Sequence, residues 1–157
     1  MPSNFTYQDI VRNEWVDYNG HMNDAAYAKG FSLAVDALID HIGLDEQARA
    51  KLSYSIFTLE THVCYLQEAN EKQDINVTLQ LLNKDAKRLH VFFEMYVRQD
   101  NEQHLIATSE QMLMGMDMEQ GRPAPFPETI AEAIETIWNN HKHLAAPKQA
   151  GRQIGIK

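Results

Sequence analysis

Hydrophobic and polar positions along the chain follow two periods. Tyr27, Phe31, Ala34, Val35, Leu38 and Ile42 recur at steps of three and four, which stacks them on one face of a helix. Asn23 or Asp24 is a natural N-cap for it, and Gly43 a natural stop. Ala25, Ala26, Ala28, Gly30 and Ala34 keep this helix slim, so other elements can approach it closely. Before it, Phe5 to Val16 reads as extended, with a break near Asp9, and Tyr18-Asn19-Gly20 reads as a turn. After it the period changes to two. Candidate strands run from Tyr54 to Leu66, through Ile75, Val77, Leu79 and Leu81, through Leu89, Val91, Phe93, Met95 and Val97, and from Leu105 to Met116. Polar gaps at 68–74, 83–87 and 98–103 suit hairpin connections between antiparallel strands. A Pro-rich turn at Gly121-Arg122-Pro123 precedes a second amphipathic helix with Ile130, Ala133, Ile134, Ile137 and Trp138. The order is strand, long helix, four long strands, short helix.

These elements make one domain over residues 1–145, and residues 146–157 read as a loosely ordered tail. The third and fourth long strands carry large apolar residues on both faces. One face can cover the long helix, and a second subunit is the simplest cover for the other.

Charge narrows the choice of partner. The chain has 22 acidic and 14 basic residues, a net charge of -8. Nucleic acid and anionic membrane surfaces both demand clustered cations, so neither is expected as a partner. No apolar run reaches the ~20 residues of a membrane span, and the N-terminus lacks a basic stretch followed by an apolar one, so a cytoplasmic protein is expected. Cys64 is the single cysteine, and reads as a small packed residue within a strand. His141 and His143 have no carboxylate or thiol to complete a metal set, so no metal and no cofactor are expected.

One segment concentrates chemistry. Asp17, His21, Asn23 and Asp24 crowd a glycine turn that leads into the long helix. A helix start offers unpaired N–H groups and the positive end of a macrodipole, a suitable cradle for a developing oxyanion. A carboxylate folded over it can activate water or attack directly. A plainer reading also stands: Asp17 holds the Asn-Gly turn and Asn23 only caps a helix.

The run Asp17-Tyr18-Asn19-Gly20-His21-Met22-Asn23, followed by Tyr27 and Phe31, resembles the signature of the 4-hydroxybenzoyl-CoA thioesterase-like hotdog family. The resemblance implies an α+β hotdog fold: an antiparallel sheet of about five strands wrapped around one long central helix, plus a short C-terminal helix. It also implies a homodimer, or a tetramer built from it, with sheets paired edge to edge and sites at the interface. Glu60-Thr61-His62, Tyr65-Leu66-Gln67-Glu68, Asp85 with Lys87-Arg88-Leu89-His90, Ala107-Thr108 with Glu110-Gln111-Met112, and residues 121–127 are similar to the thioesterases of carnitine breakdown. Those occur alone or fused behind L-carnitine dehydrogenase. The resemblance therefore implies hydrolysis of betainyl-CoA to glycine betaine and CoA, and a functional link to that dehydrogenase.

Carried over residue by residue, Asp17 matches the catalytic carboxylate, and Asn23 and Asp24 match the oxyanion-binding turn, with His21 as an orienting group. One departure is Trp15, which stands where many members have a second Asp. A betaine headgroup needs aromatic faces and a carboxylate. Trp15, Tyr18, Tyr27, Phe31 and Phe57 are the candidate faces, and Glu60 and Glu110 the candidate charges. Each aromatic can equally be plain core. The CoA phosphates need cations, for which Lys84, Lys87, Arg88 and Arg122 are the candidates, although the first three also suit a solvated turn. A fatty acyl-CoA thioesterase, a non-catalytic acyl-CoA-binding dimer and a hotdog dehydratase stay as alternatives.

Overall fold

The four period-two stretches become four long strands. In a computed structural model, which describes residues 5–157, they are β2 (Tyr54–Tyr65), β3 (Asp74–Lys84), β4 (Arg88–Gln99) and β5 (Glu102–Asp117). With β1 (Thr6–Ile10) they form one antiparallel sheet in the order β1-β3-β4-β5-β2, and a two-residue strand, β6 (Arg122–Pro123), pairs with β5. Residues 1–4, which open the expected domain, lie outside the described residues. The β4–β5 link is two residues long, Asp100 and Asn101, with φ of 53° and 64°. Tight hairpins that match strand twist need this left-handed pair, and Asp and Asn are among the side chains that tolerate it best. The β3–β4 turn closes differently: the Asp85 carboxylate accepts the N–H groups of Lys87 and Arg88 at 2.9 and 2.7 Å.

The long helix, α1 (Asp24–His41), lies against the concave face of this sheet. Its stripe of Tyr27, Phe31, Ala34, Val35 and Leu38 is buried with the inward residues Val77, Leu89, Val91, Phe93 and Met95 of β3 and β4. Phe31 and Phe93 stack at 6.4 Å between ring centroids. A Cβ added at Gly30 would sit 2.8 Å from Met95 Cε, so glycine sets how closely the helix approaches β4. The result is the hotdog arrangement the sequence resemblance implies. Another helix, α3 (Glu128–His141), fills the hairpin end of the concave face, where Ile134 and Ile137 meet Leu38, Ile42, Leu79, Leu81, Leu89 and Val91. No helix of the described residues is long and apolar enough to cross a membrane.

Three features depart from the sequence reading. A short helix, α2 (Glu46–Leu52), appears where none was expected. Asp45 caps it by accepting the Ala48 N–H at 2.9 Å, but none of its residues is buried, so it leaves no apolar periodicity to read. The extended segment does not break at Asp9. β1 continues to Ile10 because the Asp9 carboxylate is tied down by the Tyr7 hydroxyl at 2.6 Å and by Arg12 at 2.7 Å. Burial first and then Asp9 push the Tyr7 phenol up to about 12. The chain turns later, in a single 3-10 turn at Asn13–Trp15.

The third departure is on the outer face of the sheet. Gln80, Phe92, Glu110 and His62 are aligned in one row across β3, β4, β5 and β2. The tail beyond α3 forms only turns, yet it is held across this row. Gln80 Nε2 donates to Ala145 O at 3.1 Å, and Gly151 N donates to Glu110 Oε1 at 2.7 Å. Phe92 lies between these two anchors and is 1% exposed. A strip of the outer face is therefore covered from within the chain, without a second subunit.

α3 also ends on the sheet. His141 Nδ1 accepts the Leu81 N–H at 2.9 Å, on the edge of β3 beyond the last β1 partner, Thr78. The bond requires a ring unprotonated at Nδ1, and burial lowers the His141 pKa below 6.5. A depressed histidine pKa means that the unfolded chain binds the proton more tightly. Its contribution is complete above about pH 6.5 and is lost as pH falls through the folded value. Urea unfolding between pH 7.5 and 5 should show stability falling with pH, and His141→Gln should flatten part of that slope. Parallel profiles for the two proteins would remove His141 as a contributor.

Candidate active site

The loop from Trp15 to Asn23 is folded back on itself by its own main chain. Asn23 N donates to Trp15 O and Asp17 N to His21 O, both at 2.9 Å, with Val16 and Met22 bridged between them. Gly20 closes the turn by donating to Asp17 O at 2.9 Å, with φ of 80°, a conformation that favours glycine. The loop is fixed to the sheet by Met22 N on Ala69 O at 2.8 Å and by a bridge between His21 and Asn70. Asp17 is thus carried to the start of α1 on a short, cross-braced loop.

Within that loop the two carboxylate oxygens of Asp17 differ. Oδ1 accepts the N–H groups of Asn19 and His21 at 2.9 and 3.2 Å. Oδ2 has no partner among the described residues and points its lone pairs to solvent. The plainer reading of Asp17 as a turn-holder is correct for one oxygen and leaves the other available. A similar division applies to the helix start. Asn23 Oδ1 accepts Ala26 N at 3.0 Å, and Asp24 Oδ1 accepts Ala25 N at 2.9 Å. The Asp24 N–H has no acceptor among the described residues, which leaves one first-turn donor at the positive end of an 18-residue helix.

Residues distant in sequence complete the surroundings. His21 Nε2 lies 3.6 Å from the Glu68 carboxylate. Tyr27 is buried, and its hydroxyl donates to Gln67 O at 3.1 Å. The Tyr65 hydroxyl donates to Asp24 O at 3.2 Å, and the Tyr27 and Tyr65 rings meet edge to face at 5.2 Å. Burial, and then the charge of Glu68, raise the Tyr27 pKa; burial, and then Asp24, raise that of Tyr65. Tyr65 and Glu68 were not singled out as site residues in the sequence. Some forty positions separate them from the loop they join, and nothing local marks that contact.

Of the sequence-selected residues, Asp17, His21, Asn23, Asp24 and Tyr27 come together. The others do not. Trp15 is 5% exposed, and Arg12 covers its ring at 4.8 Å, so the indole belongs to the core and is not an open face. Phe31 is likewise core. Tyr18 stands 97% exposed at the loop tip. Phe57, Glu60 and Glu110 project from the outer face of the sheet, because a β-bulge between Thr58 and Glu60 and the pairing with β5 set their direction. Glu110 is engaged there by His90 at 2.6 Å and by the tail.

Lys84, Lys87, Arg88 and Arg122 gather at the hairpin end. Phe126 N bonds Ala86 O, Gly115 N bonds Lys87 O, and β6 brings Arg122 beside Asp117. Two of these cations are already paired, Lys84 with Glu135 and Arg88 with Asp85, each at 2.6 Å. β3 begins next to the Asp17 loop and ends at this hairpin, so about 30 Å of strand separates the two groups within one chain. Among the described residues no cluster of His, Cys, Asp and Glu could hold a metal ion.

The model of the thioesterase-like superfamily matches residues 11–134. The chain is 42% identical to a betainyl-CoA thioesterase of Pseudomonas aeruginosa, over 96% of this chain and 94% of that one. It is 39% identical to an L-carnitine dehydrogenase/betainyl-CoA thioesterase of Rhizobium meliloti, over 94% of this chain but only 29% of that longer protein. Among solved structures, a Staphylococcus aureus protein in complex with CoA superposes with a TM-score of 0.91 at 34% identity, covering 99% of this chain and 96% of that one.

The cap on α1 is testable independently of catalysis. Asn23→Ala removes the acceptor of the Ala26 N–H and should cost about 1 kcal/mol, read as a lowered denaturant midpoint, whereas Asn23→Ser should retain most of it. An unchanged midpoint for the alanine variant would show that the cap does not hold the helix start.

Proposed function

Because the chain belongs to the thioesterase-like superfamily, we propose that it hydrolyses a small acyl-CoA, betainyl-CoA, to glycine betaine and CoA. The observation that carries this reading is the pairing of an open Asp17 Oδ2 with an open Asp24 N–H on one braced loop. The thioester carbonyl oxygen accepts from the Asp24 N–H, so the charge that develops in the transition state faces the positive end of α1. Such a donor is worth about 3 kcal/mol. Asp17 Oδ2 either draws a proton from water as it attacks, or attacks the carbonyl to form an anhydride that water opens. Its other oxygen holds the loop in place meanwhile. The thiolate of CoA leaves, and no cofactor is needed. His21, steadied by Glu68, orients the carboxylate and the water. The substrate itself is supported by the Pseudomonas aeruginosa relative, which spans nearly the same length. The fused Rhizobium meliloti relative supports a functional link to L-carnitine oxidation in the cytoplasm.

A homodimer reconciles the separated charges. β2 is a twelve-residue edge strand with Phe57 and Leu59 exposed, an unusual surface to leave unpaired. If two copies pair antiparallel along β2, the hairpin end of one lies beside the Asp17 loop of the other. Lys87, Arg122 and their neighbours can then hold CoA phosphates for the partner's site.

Two measurements test these readings. Asp17→Asn should lower kcat for betainyl-CoA by about 10²–10⁴-fold while the protein stays folded. Turnover at the wild-type rate would favour a binding protein, and better kcat/KM for butyryl- or octanoyl-CoA would favour a fatty acyl substrate. Leu59→Glu sets like charges against each other across a symmetric β2 pair. Sedimentation velocity should shift toward monomer with activity falling in step, whereas an active monomer would defeat the shared site.

A further inference from the structure

The betaine acyl group ends in a quaternary ammonium, which has a fixed charge and no hydrogen to donate. It is recognised by the faces of aromatic rings and by carboxylates. On the helix side of the sheet, the residues first considered for this purpose leave few faces open: Trp15, Tyr27 and Phe31 are buried, and Phe57, Glu60 and Glu110 project from the other side. Tyr65 remains. It is 53% exposed, at the end of β2 where the chain passes the start of α1. Its ring is braced along one edge by Tyr27 at 5.2 Å and 89°, and its hydroxyl is tied to Asp24 O at 3.2 Å, so its orientation is set before any ligand arrives.

Three residues further on, Glu68 presents a carboxylate with 77% of its side chain exposed, 3.6 Å from His21 Nε2. Asp24 adds a second carboxylate at the same helix start. The tail cations Lys148 and Arg152 border this stretch of β2 together with His62 and Cys64, which lie on the outer face, while the carboxylates sit with His21 and the helix start. The surroundings of the open Asp17 oxygen are thus negative and aromatic, a poor match for a carboxylate-ended or phosphorylated acyl group.

Resting on the betainyl-CoA reading above, we infer that Tyr65 and Glu68 are the specificity determinants for the cationic end of the acyl group. The Tyr65 face receives the methyl groups that carry the positive charge, and Glu68 balances that charge from the side of His21. Neither group touches the reacting carbonyl. Their contribution is to select and position the acyl group so that the carbonyl reaches the Asp24 N–H.

The experiment compares kcat/KM for betainyl-CoA with that for 3,3-dimethylbutyryl-CoA, in which carbon replaces the charged nitrogen at nearly the same shape. Wild type should prefer the charged substrate. Tyr65→Leu and Glu68→Gln should each lower that preference about tenfold, mainly through KM for betainyl-CoA, and Tyr65→Phe should keep it because the ring face survives. The ratio cancels any loss of folded enzyme. A variant that loses both substrates equally, with the ratio intact, overturns the assignment and leaves the betaine reading standing. A wild type without preference overturns the betaine reading, and this assignment with it.

Discussion

Everything in this molecule depends on how closely α1 sits in the concave sheet. The contact is made at Gly30, where no Cβ intervenes between helix and Met95, and at Phe31 against Phe93. Interiors at crystal-like density hold a buried helix to within fractions of an ångström. With the helix axis fixed, its first turn is fixed too, and the Trp15–Asn23 loop, bonded to that turn and to Ala69, has little freedom left. The chemistry at the helix start is therefore set by packing roughly two turns away.

The outer face shows why proximity of suitable side chains is insufficient to define a site. His90 and Glu110 meet at 2.6 Å, a closer histidine–carboxylate pair than His21 and Glu68 at 3.6 Å. Taken by itself, the first pair looks the more catalytic. Yet it has no helix N-terminus beside it, and the second oxygen of Glu110 is occupied by Gly151. The pair organises the tail. The looser pair stands beside an open carboxylate oxygen and an open N–H donor, which are the groups that hydrolysis requires.

Much of the fold was legible because burial imposes periods: alternate positions of β4 and every third or fourth position of α1 had to be apolar. The loop was legible because its seven residues are contiguous, so turn, cap and carboxylate could be read together. What escaped has a physical explanation in each case. α2 buries nothing. Tyr65 and Glu68 reach the loop across some forty residues, through a sheet whose register the sequence does not state. Trp15 and Phe31 could not be told from open aromatic faces, because periodicity gives a residue's direction but not what lies over it. The cations were correctly grouped as neighbours, yet their ion pairs with Glu135 and Asp85, and their distance from Asp17, are tertiary facts.

The tail's attachment bears on how sequences of this shape can diverge. Both anchors on the tail side are main-chain atoms, Ala145 O and Gly151 N, while the sheet supplies the side chains of Gln80 and Glu110. A carbonyl and an amide are present whatever residue carries them, so the tail's composition can drift while its path persists. Selection on that path falls instead on two positions in the middle of β3 and β5, and on a glycine-tolerant φ of 73° at residue 151. The strap's history is therefore recorded in the surface that it crosses.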